Sequence, residues 1–173
     1  MKTKTNSKTD TKQQLSDLLL QVNNDLAITN SLDEALEALV GITTSIIKCE
    51  RGTIFLNDAK SEELYSRVAQ GNFMREIRFM NSKGVAGWSY TNKKGAIVHD
   101  AYKDDRFNKN VDIRTGFRTK SILCMPLSTV SGKVIGVSQL LNKLDGQFSE
   151  TDLELIEAMT KQAAIAIQSH VAL

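Results

Sequence analysis

The sequence predicts an α+β fold in which helices cover an antiparallel sheet of about six strands. Two observations lead to this prediction. Amphipathic helical patterns occupy both ends of the chain, and short alternating or apolar segments separated by turn residues fill its centre. Helices followed by a run of strands and a closing helix are typical of an α+β domain. The 173 residues suffice for one such domain with additional terminal helices.

The N-terminal part of the chain divides into a polar tail and two helices. Residues 1–12 contain almost no apolar side chains, so we expect a disordered tail. Residues 13–30 are predicted to form a connecting helix, because leucine and valine recur at three- and four-residue spacing. The next helix is predicted from Ser31 to about Cys49, with Ser31 and Glu34 in the positions of a capping box. The apolar stripe of the connecting helix consists of Leu15, Leu18, Leu19, Val22 and Leu26.

The rest of the chain is predicted to alternate strands with turns and one short helix. Two glycines, Gly84 and Gly87, precede a helix that we expect to end near Asn92, and residues 100–118 form a polar, irregular segment. Pro126 falls within an apolar strand, which indicates a sheet edge or a bulge. The last helix is predicted to begin at Ser149, which forms a cap-like pair with Asp152. The predicted strands are 52–56, followed by a turn at Asn57 and Asp58, then 64–69, 76–80, 96–99, 121–128 and 134–141.

Composition argues against several classes of function. The chain has 22 lysine and arginine residues against 20 acidic ones, a net charge of +2, and no basic stripe interleaved with aromatics, so we expect no nucleic-acid partner. The longest apolar stretches are far too short to cross a bilayer, and the N-terminus lacks the apolar core of a signal peptide. We therefore expect no membrane partner and a cytoplasmic location.

The cysteines and histidines are too few and too dispersed for a metal or redox site. Cys49 and Cys124 both lie in apolar surroundings, which favours buried, reduced thiols over a disulfide or metal ligands. His99 and His170 are the only histidines and are far apart in the chain. We expect no metal, no cofactor and no enzymatic activity.

Two short segments are candidates for a functional role. Residues 84–87 would place backbone N–H groups at a helix N-terminus, where aligned donors and the helix dipole attract a phosphate. The alternative is a glycine turn that only positions the helix, and the sequence supports both equally. In residues 142–152, Lys143 and Asp152 stand at the two ends of the connection between a strand and the last helix. A charge-assisted hydrogen bond between them would fix how this helix leaves the sheet.

Four segments together resemble the GAF domains that bind cyclic nucleotides in bacterial adenylate cyclases and mammalian phosphodiesterases. They are residues 83–87, 100–107, 115–127 and 142–152, and the resemblance extends over residues 31–173. The last segment is similar to the family's Asn-Lys…Phe-x-x-x-Asp-Glu signature, except that Leu153 replaces the final Glu. We interpret Leu153 as a core residue of the last helix.

The resemblance implies terminal helices on one face of the sheet and, on the other face, short helices that form a ligand pocket. Residues 100–118, here called the lid, would cover this pocket. The implied ligand is a purine cyclic nucleotide, with cAMP slightly preferred over cGMP. A latch of Asn142, Lys143, Phe148 and Asp152 would relay ordering of the lid to terminal helices that form a homodimer and control an output domain. The implied ligand-binding residues are Arg51, Thr53, Ala69, Gln70, Val85, Ala86, Asn108, Thr115, Thr119 and Gln139.

Two other functions remain open on the sequence. In the first, the domain is a dimerisation module that binds no nucleotide, which is compatible with Leu153 and Gln139 in place of the family's glutamates. In the second, it senses another small metabolite such as a carboxylic acid. Bilin attachment is not expected, because the lid lacks a cysteine next to a histidine. Sulfoxide reduction, an activity known on this fold, is not expected because neither Cys49 nor Cys124 matches the reactive arrangement that it needs.

Overall fold

A computed structural model describes residues 13, 16, 17, 20, 31–69 and 76–171 of the chain. They form one six-stranded antiparallel sheet of order β3-β2-β1-β6-β5-β4, with helices on both faces, as predicted. The elements are α1 (Leu32–Ile47), β1 (Cys49–Asp58), β2 (Glu63–Ala69), β3 (Arg78–Met80), α2 (Gly84–Asn92), β4 (Ala96–Val98), a 3₁₀ helix (Ala101–Lys103), α3 (Lys109–Thr115), β5 (Ile122–Ser128), β6 (Val134–Lys143) and α4 (Glu150–Val171).

The two long helices, α1 and α4, pack together on one face of the sheet. Helix α1 begins as predicted, because the Ser31 hydroxyl accepts a hydrogen bond from the Glu34 amide at 3.3 Å. Its apolar stripe meets that of α4 over the central strands, and this contact forms the larger hydrophobic core. The buried side chains at its centre include Leu36, Leu39, Ile54, Leu123, Leu140 and Ile156. No helix among the described residues is long and apolar enough to cross a membrane.

The opposite face of the sheet carries the short helices and a second apolar cluster. Phe55 and Phe79 lie in edge-to-face contact there, with ring centroids 5.2 Å apart. Val85 and Ala86 of α2 pack against this cluster, and the lid lies above it. The sheet is therefore covered by the two long helices on one face and, on the other face, by short helices and the lid, which enclose a cavity.

Several predicted boundaries differ from the structure. The predicted turn at Asn57 and Asp58 is wrong: β1 continues to Asp58, because both residues pair with β2, and the turn follows at residues 59–62. The lid is not irregular throughout, since it contains a 3₁₀ helix and α3. The edge position of Pro126 is confirmed, since β4 pairs with β5 only over residues 122–124. The apolar stripe of the predicted connecting helix lies outside the described residues, although Gln13, Ser16, Asp17 and Leu20 are helical.

Candidate ligand-binding site

A cavity lies between the sheet and the lid, at the N-terminal end of α2. The space that the centres of water molecules could occupy is about 60 Å³, enough for about four to six waters. Its floor is the pocket face of β1 and β6, and its roof is α3 with the segment that follows. The lining residues are Arg51, Thr53, Phe55, Ile77, Phe79, Gly84, Val85, Ala86, Phe107, Asn108, Val111, Asp112, Thr115, Phe117, Thr119, Ile122, Gln139 and Leu141.

The N-terminus of α2 supplies backbone donors to one end of this cavity. The residue before the helix, Lys83, gives no side-chain cap to it, and Gly84 turns the chain at a φ of +75°. Val85 and Ala86 follow, with only 2% and 3% of their surface exposed. Amides in the first turn of a helix have no acceptor within the helix, and the positive end of the helix dipole lies beside them. This end of the cavity therefore suits an anion.

Gly84 also allows the lid to approach α2 closely. A Cβ atom on Gly84 would lie 3.3 Å from the Cβ of Asn108, which precedes α3. The Asn108 side chain caps α3 by accepting a hydrogen bond from the Asn110 amide at 3.3 Å. The beginning of α3 is thereby held against the beginning of α2, and both helix starts border the cavity.

The floor of the cavity offers three polar side chains on adjacent strands. Thr53 of β1 lies opposite Gln139 of β6, and Arg51 lies two residues before Thr53 on the same strand. The Gln139 amide oxygen accepts a weak hydrogen bond from the Cys124 thiol, with the two atoms 3.6 Å apart. The Arg51 guanidinium stacks on the Phe117 ring, 4.0 Å from its centroid. This stacking joins the floor to the C-terminal end of the lid.

The carboxylate of Asp112 is the main polar junction of the lid. Its Oδ2 accepts hydrogen bonds from the Tyr102 hydroxyl at 2.7 Å and the Thr119 amide at 2.8 Å. Its Oδ1 accepts from the Thr119 hydroxyl at 2.6 Å. Asp112 is 7% exposed and Thr119 is 2% exposed. A nearly buried carboxylate with three donors therefore connects α3 to the 3₁₀ helix and to the segment that enters β5.

Stacked arginine and aromatic side chains fasten the lid from outside. The Arg118 guanidinium lies 3.7 Å from the centroid of the Tyr102 ring, and the hydrogen bond from Tyr102 to Asp112 raises the pKa of this tyrosine. Arg106 lies over the Trp88 ring of α2 at 4.6 Å and binds Asp104 through two nitrogens, at 2.8 and 2.9 Å. These hydrogen bonds hold the pKa of Asp104 below its usual range. The lid is thus closed by contacts within the chain itself.

The latch residues connect the lid to both long helices. The Asn142 side chain accepts from the amides of Lys120 and Ser121 at 2.6 and 3.2 Å, and it donates to the Arg118 carbonyl at 2.9 Å. Its backbone has a φ of +62°, a conformation that asparagine tolerates better than most residues. Asn142 therefore fixes the C-terminal end of the lid to the end of β6.

The neighbouring Lys143 contacts both long helices. Its ammonium is 3.0 Å from Asp152 Oδ2 and also donates to the Ile47 carbonyl at the end of α1. Asp152 in turn accepts from the Ser149 amide at 3.0 Å, and the Ser149 hydroxyl accepts from the Asp152 amide at 3.2 Å. This reciprocal pair caps α4. Phe148, 2% exposed, lies in the core under the same loop.

The structure brings most of the predicted ligand-binding residues to one cavity. Ala69 is the exception among the described residues: it pairs with Thr53 from the neighbouring strand β2, but it does not line the cavity. Gln70 lies outside the described residues. Leu153 is partly buried and packs against the helical core, as interpreted from the sequence. The residues that were predicted from the sequence and line the cavity are Arg51, Thr53, Val85, Ala86, Asn108, Thr115, Thr119 and Gln139.

The carboxylate and the rings of the lid were not found from the sequence. Asp112 lies in a polar stretch that is typical of a solvated surface, and only the folded chain brings Tyr102 and Thr119 to it. One signal was present: Asn108 and Gly116 bracket residues 109–115 as an N-cap and a left-handed C-cap, which together mark a short helix. Phe117 gave no such signal.

The thiols lie in surroundings that suppress their reactivity. Burial raises the pKa of Cys49 to about 12, and burial also raises that of the fully buried Cys124. A thiol with a raised pKa forms little of the thiolate that acts as a nucleophile. In the described part of the chain, no cluster of three or more histidine, cysteine or acidic side chains could hold a metal ion.

Comparison with known proteins places the chain in a family. A family model described as "GAF domain" matches residues 31–167. The chain is 34% identical over 149 residues to "Probable 3',5'-cyclic phosphodiesterase pde-5" of Caenorhabditis elegans, a match that covers 79% of this chain and 20% of that protein. It is 28% identical over 177 residues to "Dual 3',5'-cyclic-AMP and -GMP phosphodiesterase 11" of Drosophila melanogaster, covering 92% of this chain and 12% of that protein. The chain thus spans a fifth or less of the length of these curated relatives.

Solved structures agree on the fold. The GAF domain of a phosphoenolpyruvate-protein phosphotransferase from Coxiella burnetii superposes with a TM-score of 0.81 at 16% identity, covering 91% of this chain and 95% of that one. A free methionine-R-sulfoxide reductase from Neisseria meningitidis superposes with a TM-score of 0.76 at 19% identity, covering 91% and 90%. With a matching family model over most of its length and a six-stranded sheet of the same architecture, this chain belongs to the GAF domain family.

Proposed function

We propose that this GAF domain binds a purine cyclic nucleotide in the cavity under the lid, with cAMP slightly preferred over cGMP. The observation that carries the proposal is the N-terminus of α2, which has no side-chain cap and opens onto the cavity. The cyclic phosphate would accept hydrogen bonds from the amides of Val85 and Ala86. Thr53 and Gln139 on the floor would face the base or the sugar. Support also comes from the relatives, which are cyclic-nucleotide phosphodiesterases by name.

Binding requires the lid to move. The cavity has room for a few water molecules, and a purine nucleotide is much larger. The lid would open to admit the ligand and then close over it, with its stacked contacts re-formed in a new position. A ligand shifts such an equilibrium only by the difference between its affinities for the two states.

The latch would carry this movement to the long helices. Asn142 holds the end of the lid, and the adjacent Lys143 holds the end of α1 and the start of α4. A change in lid position therefore acts directly on the segment that orients both helices. We propose that helices α1 and α4, with the predicted connecting helix at residues 13–30, pair with a second copy and pass the change to an output domain.

We further propose a cytoplasmic regulatory role without catalysis by this domain. Both described thiols are buried and their pKa values are raised, so the chemistry of the sulfoxide reductase does not fit them. The relatives are far longer than this chain, and their catalytic activity need not come from the region that it matches.

Thermal unfolding with nucleotides tests the proposal. The domain would be melted alone and with millimolar cAMP, cGMP and the corresponding 5′-monophosphates. A ligand present at about 100 times its dissociation constant adds roughly 2.7 kcal/mol, which raises the melting temperature by roughly 5–11 °C for a chain of this size. A rise with a cyclic nucleotide and none with the open monophosphate supports the proposal. No rise with either cyclic nucleotide contradicts it, and a rise with carboxylic acids alone would identify another class of ligand.

A proline variant tests the role of the α2 amides directly. Proline is tolerated in the first turn of a helix, where its missing N–H has no acceptor within the helix. Val85→Pro removes one proposed phosphate donor, and we expect affinity for the cyclic nucleotide to fall roughly 10- to 100-fold, the loss of one hydrogen bond to a charged group. Glu150→Pro makes the same change in the first turn of α4, away from the cavity, and should leave affinity unchanged. Equal affinities in both variants would exclude the Val85 amide as a phosphate donor.

A further inference from the structure

The hydrogen bonds of the lid determine which ligand groups it can recognise. Thr119 lines the cavity, and its hydroxyl gives its only proton to Asp112 Oδ1 at 2.6 Å. Thr115 also lines the cavity, and its hydroxyl donates to the Val111 carbonyl at 2.8 Å while accepting from the Phe117 amide. A hydroxyl has one proton and two lone pairs, so both threonines have only lone pairs left for a ligand.

The cavity is therefore lined by two kinds of hydrogen-bonding groups, backbone donors and hydroxyl acceptors. The N-terminus of α2 presents donors, whereas the lid presents the acceptor oxygens of Thr115, Thr119 and Asp112. An anionic group cannot satisfy these threonine oxygens, whereas a group with an O–H or N–H hydrogen can. We propose that Asp112 is a positioning residue that keeps the Thr119 hydroxyl an acceptor, so that this oxygen selects a ligand that carries a hydrogen-bond donor in addition to its phosphate.

This inference rests on the proposed cyclic-nucleotide function and specifies the binding mode. A purine cyclic nucleotide has donors of two kinds besides its phosphate, the 2′-hydroxyl of the sugar and the N–H groups of the base. Either would fit the Thr119 oxygen. Loss of the donor would leave a buried acceptor without a partner, which is how a site built around a hydrogen bond rejects an analogue that lacks it.

The structure offers a nearly isosteric change that reverses the polarity of Thr119. In Asp112→Asn, the amide oxygen will take the Oδ2 position, because two donors, the Tyr102 hydroxyl and the Thr119 amide, point at that atom. The amide nitrogen then occupies the Oδ1 position and donates to the Thr119 oxygen. The Thr119 proton must turn away, and the hydroxyl faces the cavity as a donor. The lid keeps all three of its connections.

The experiment measures dissociation constants for cAMP, 2′-deoxy-cAMP and N6,N6-dimethyl-cAMP with four proteins, by calorimetry or a fluorescent competitor. The proteins are the wild type, Asp112→Asn, Thr119→Val and Thr160→Val. Thr160 is a matched control, because its buried hydroxyl donates to the Ile156 carbonyl within α4, on the other face of the sheet. The quantity compared is the ratio of each analogue's dissociation constant to that of cAMP.

We expect one of the two ratios to be about 5 to 10 in the wild type and in Thr160→Val, the effect of one neutral hydrogen bond. The analogue that shows it identifies the donor as sugar hydroxyl or base N–H. The same ratio should fall to about 1 in Thr119→Val and to 1 or below in Asp112→Asn. Ratios near 1 in the wild type, or ratios unchanged by both lid variants while cAMP still binds, overturn the inference and leave the proposed function standing. Absence of any cAMP or cGMP binding to the wild type overturns both.

Discussion

Replacing Lys143 by methionine removes an ammonium group that bonds the ends of two helices. The ammonium lies 3.0 Å from Asp152, with side-chain exposures of 15% and 9%, and it also donates to the Ile47 carbonyl. Removing one partner of a buried ion pair costs about 3–5 kcal/mol, because the remaining charge stays buried. Asp152 keeps its hydrogen bond from the Ser149 amide, so we expect the free energy of unfolding to fall by about 3 kcal/mol, the lower end of that range.

Lys161→Met is the matched control for this prediction. Lys161 pairs with Glu157 one turn away on α4 at 3.7 Å, but the two side chains are 73% and 51% exposed. Such a helical surface pair contributes about 0.3–0.5 kcal/mol. Urea unfolding followed by circular dichroism measures both variants, and the Lys143 variant should also melt roughly 6–12 °C lower. If the two variants lose the same stability to within about 0.5 kcal/mol, the latch does not hold the helices and the reasoning is wrong.

Three further predictions concern backbone space, thiols and the lid. Gly41 lies inside α1, where an added methyl group would meet no other atom within 4 Å, so Gly41→Ala should stabilise the domain by about 0.5–1 kcal/mol. Gly136→Ala should instead disrupt the pairing of β6 with β1, because the added Cβ would collide with the Phe55 carbonyl. Urea unfolding of both variants measures these opposite effects on stability. Cys49 and Cys124 are buried, so a thiol reagent at pH 8 should label them no faster than the domain unfolds globally. Rapid labelling of the native protein would contradict their burial. The hydrogen bond to Asp112 raises the pKa of Tyr102, so the stability that this bond contributes is complete below pH 10.0 and is lost as the pH rises through the raised pKa. Tyr102→Phe should therefore reduce the loss of stability that the wild type shows above pH 10.0. An identical pH dependence of unfolding in the two proteins would contradict this prediction.

Local sequence signals predicted the elements whose residues determine their own structure. Ser31 and Glu34 marked the start of α1, and Ser149 and Asp152 marked the start of α4, because caps act within a single turn. Pro126 indicated an edge because its missing N–H affects any ladder. The end of β1 was misplaced because its pairing with β2 carries Asn57 and Asp58 into the strand, and pairing is a property of two segments.

The candidate site was predictable only where motif residues line it directly. Val85 and Ala86 are at a helix start that the glycine pattern marked, whereas Asn108 was expected through the resemblance alone and the helix that it precedes was not predicted. Asp112 acquires its role from Tyr102 and Thr119, ten residues before and seven after it, and their convergence depends on the path of the lid. The hydroxyls of Thr115 and Thr119 were expected to contact a ligand, and their existing hydrogen bonds, which limit them to accepting, could not be derived from residue type.

Hydrogen–deuterium exchange with and without a saturating cyclic nucleotide tests the central claim most directly, because it reports both binding and its location. We predict slower exchange at the amides of residues 84–87 and across residues 109–121, with a smaller effect at residues 142–152 through the latch. Protection elsewhere, for example only along the exposed side of α4, would contradict the proposed site. Unchanged exchange throughout the domain at millimolar cAMP and cGMP would contradict the proposed function itself.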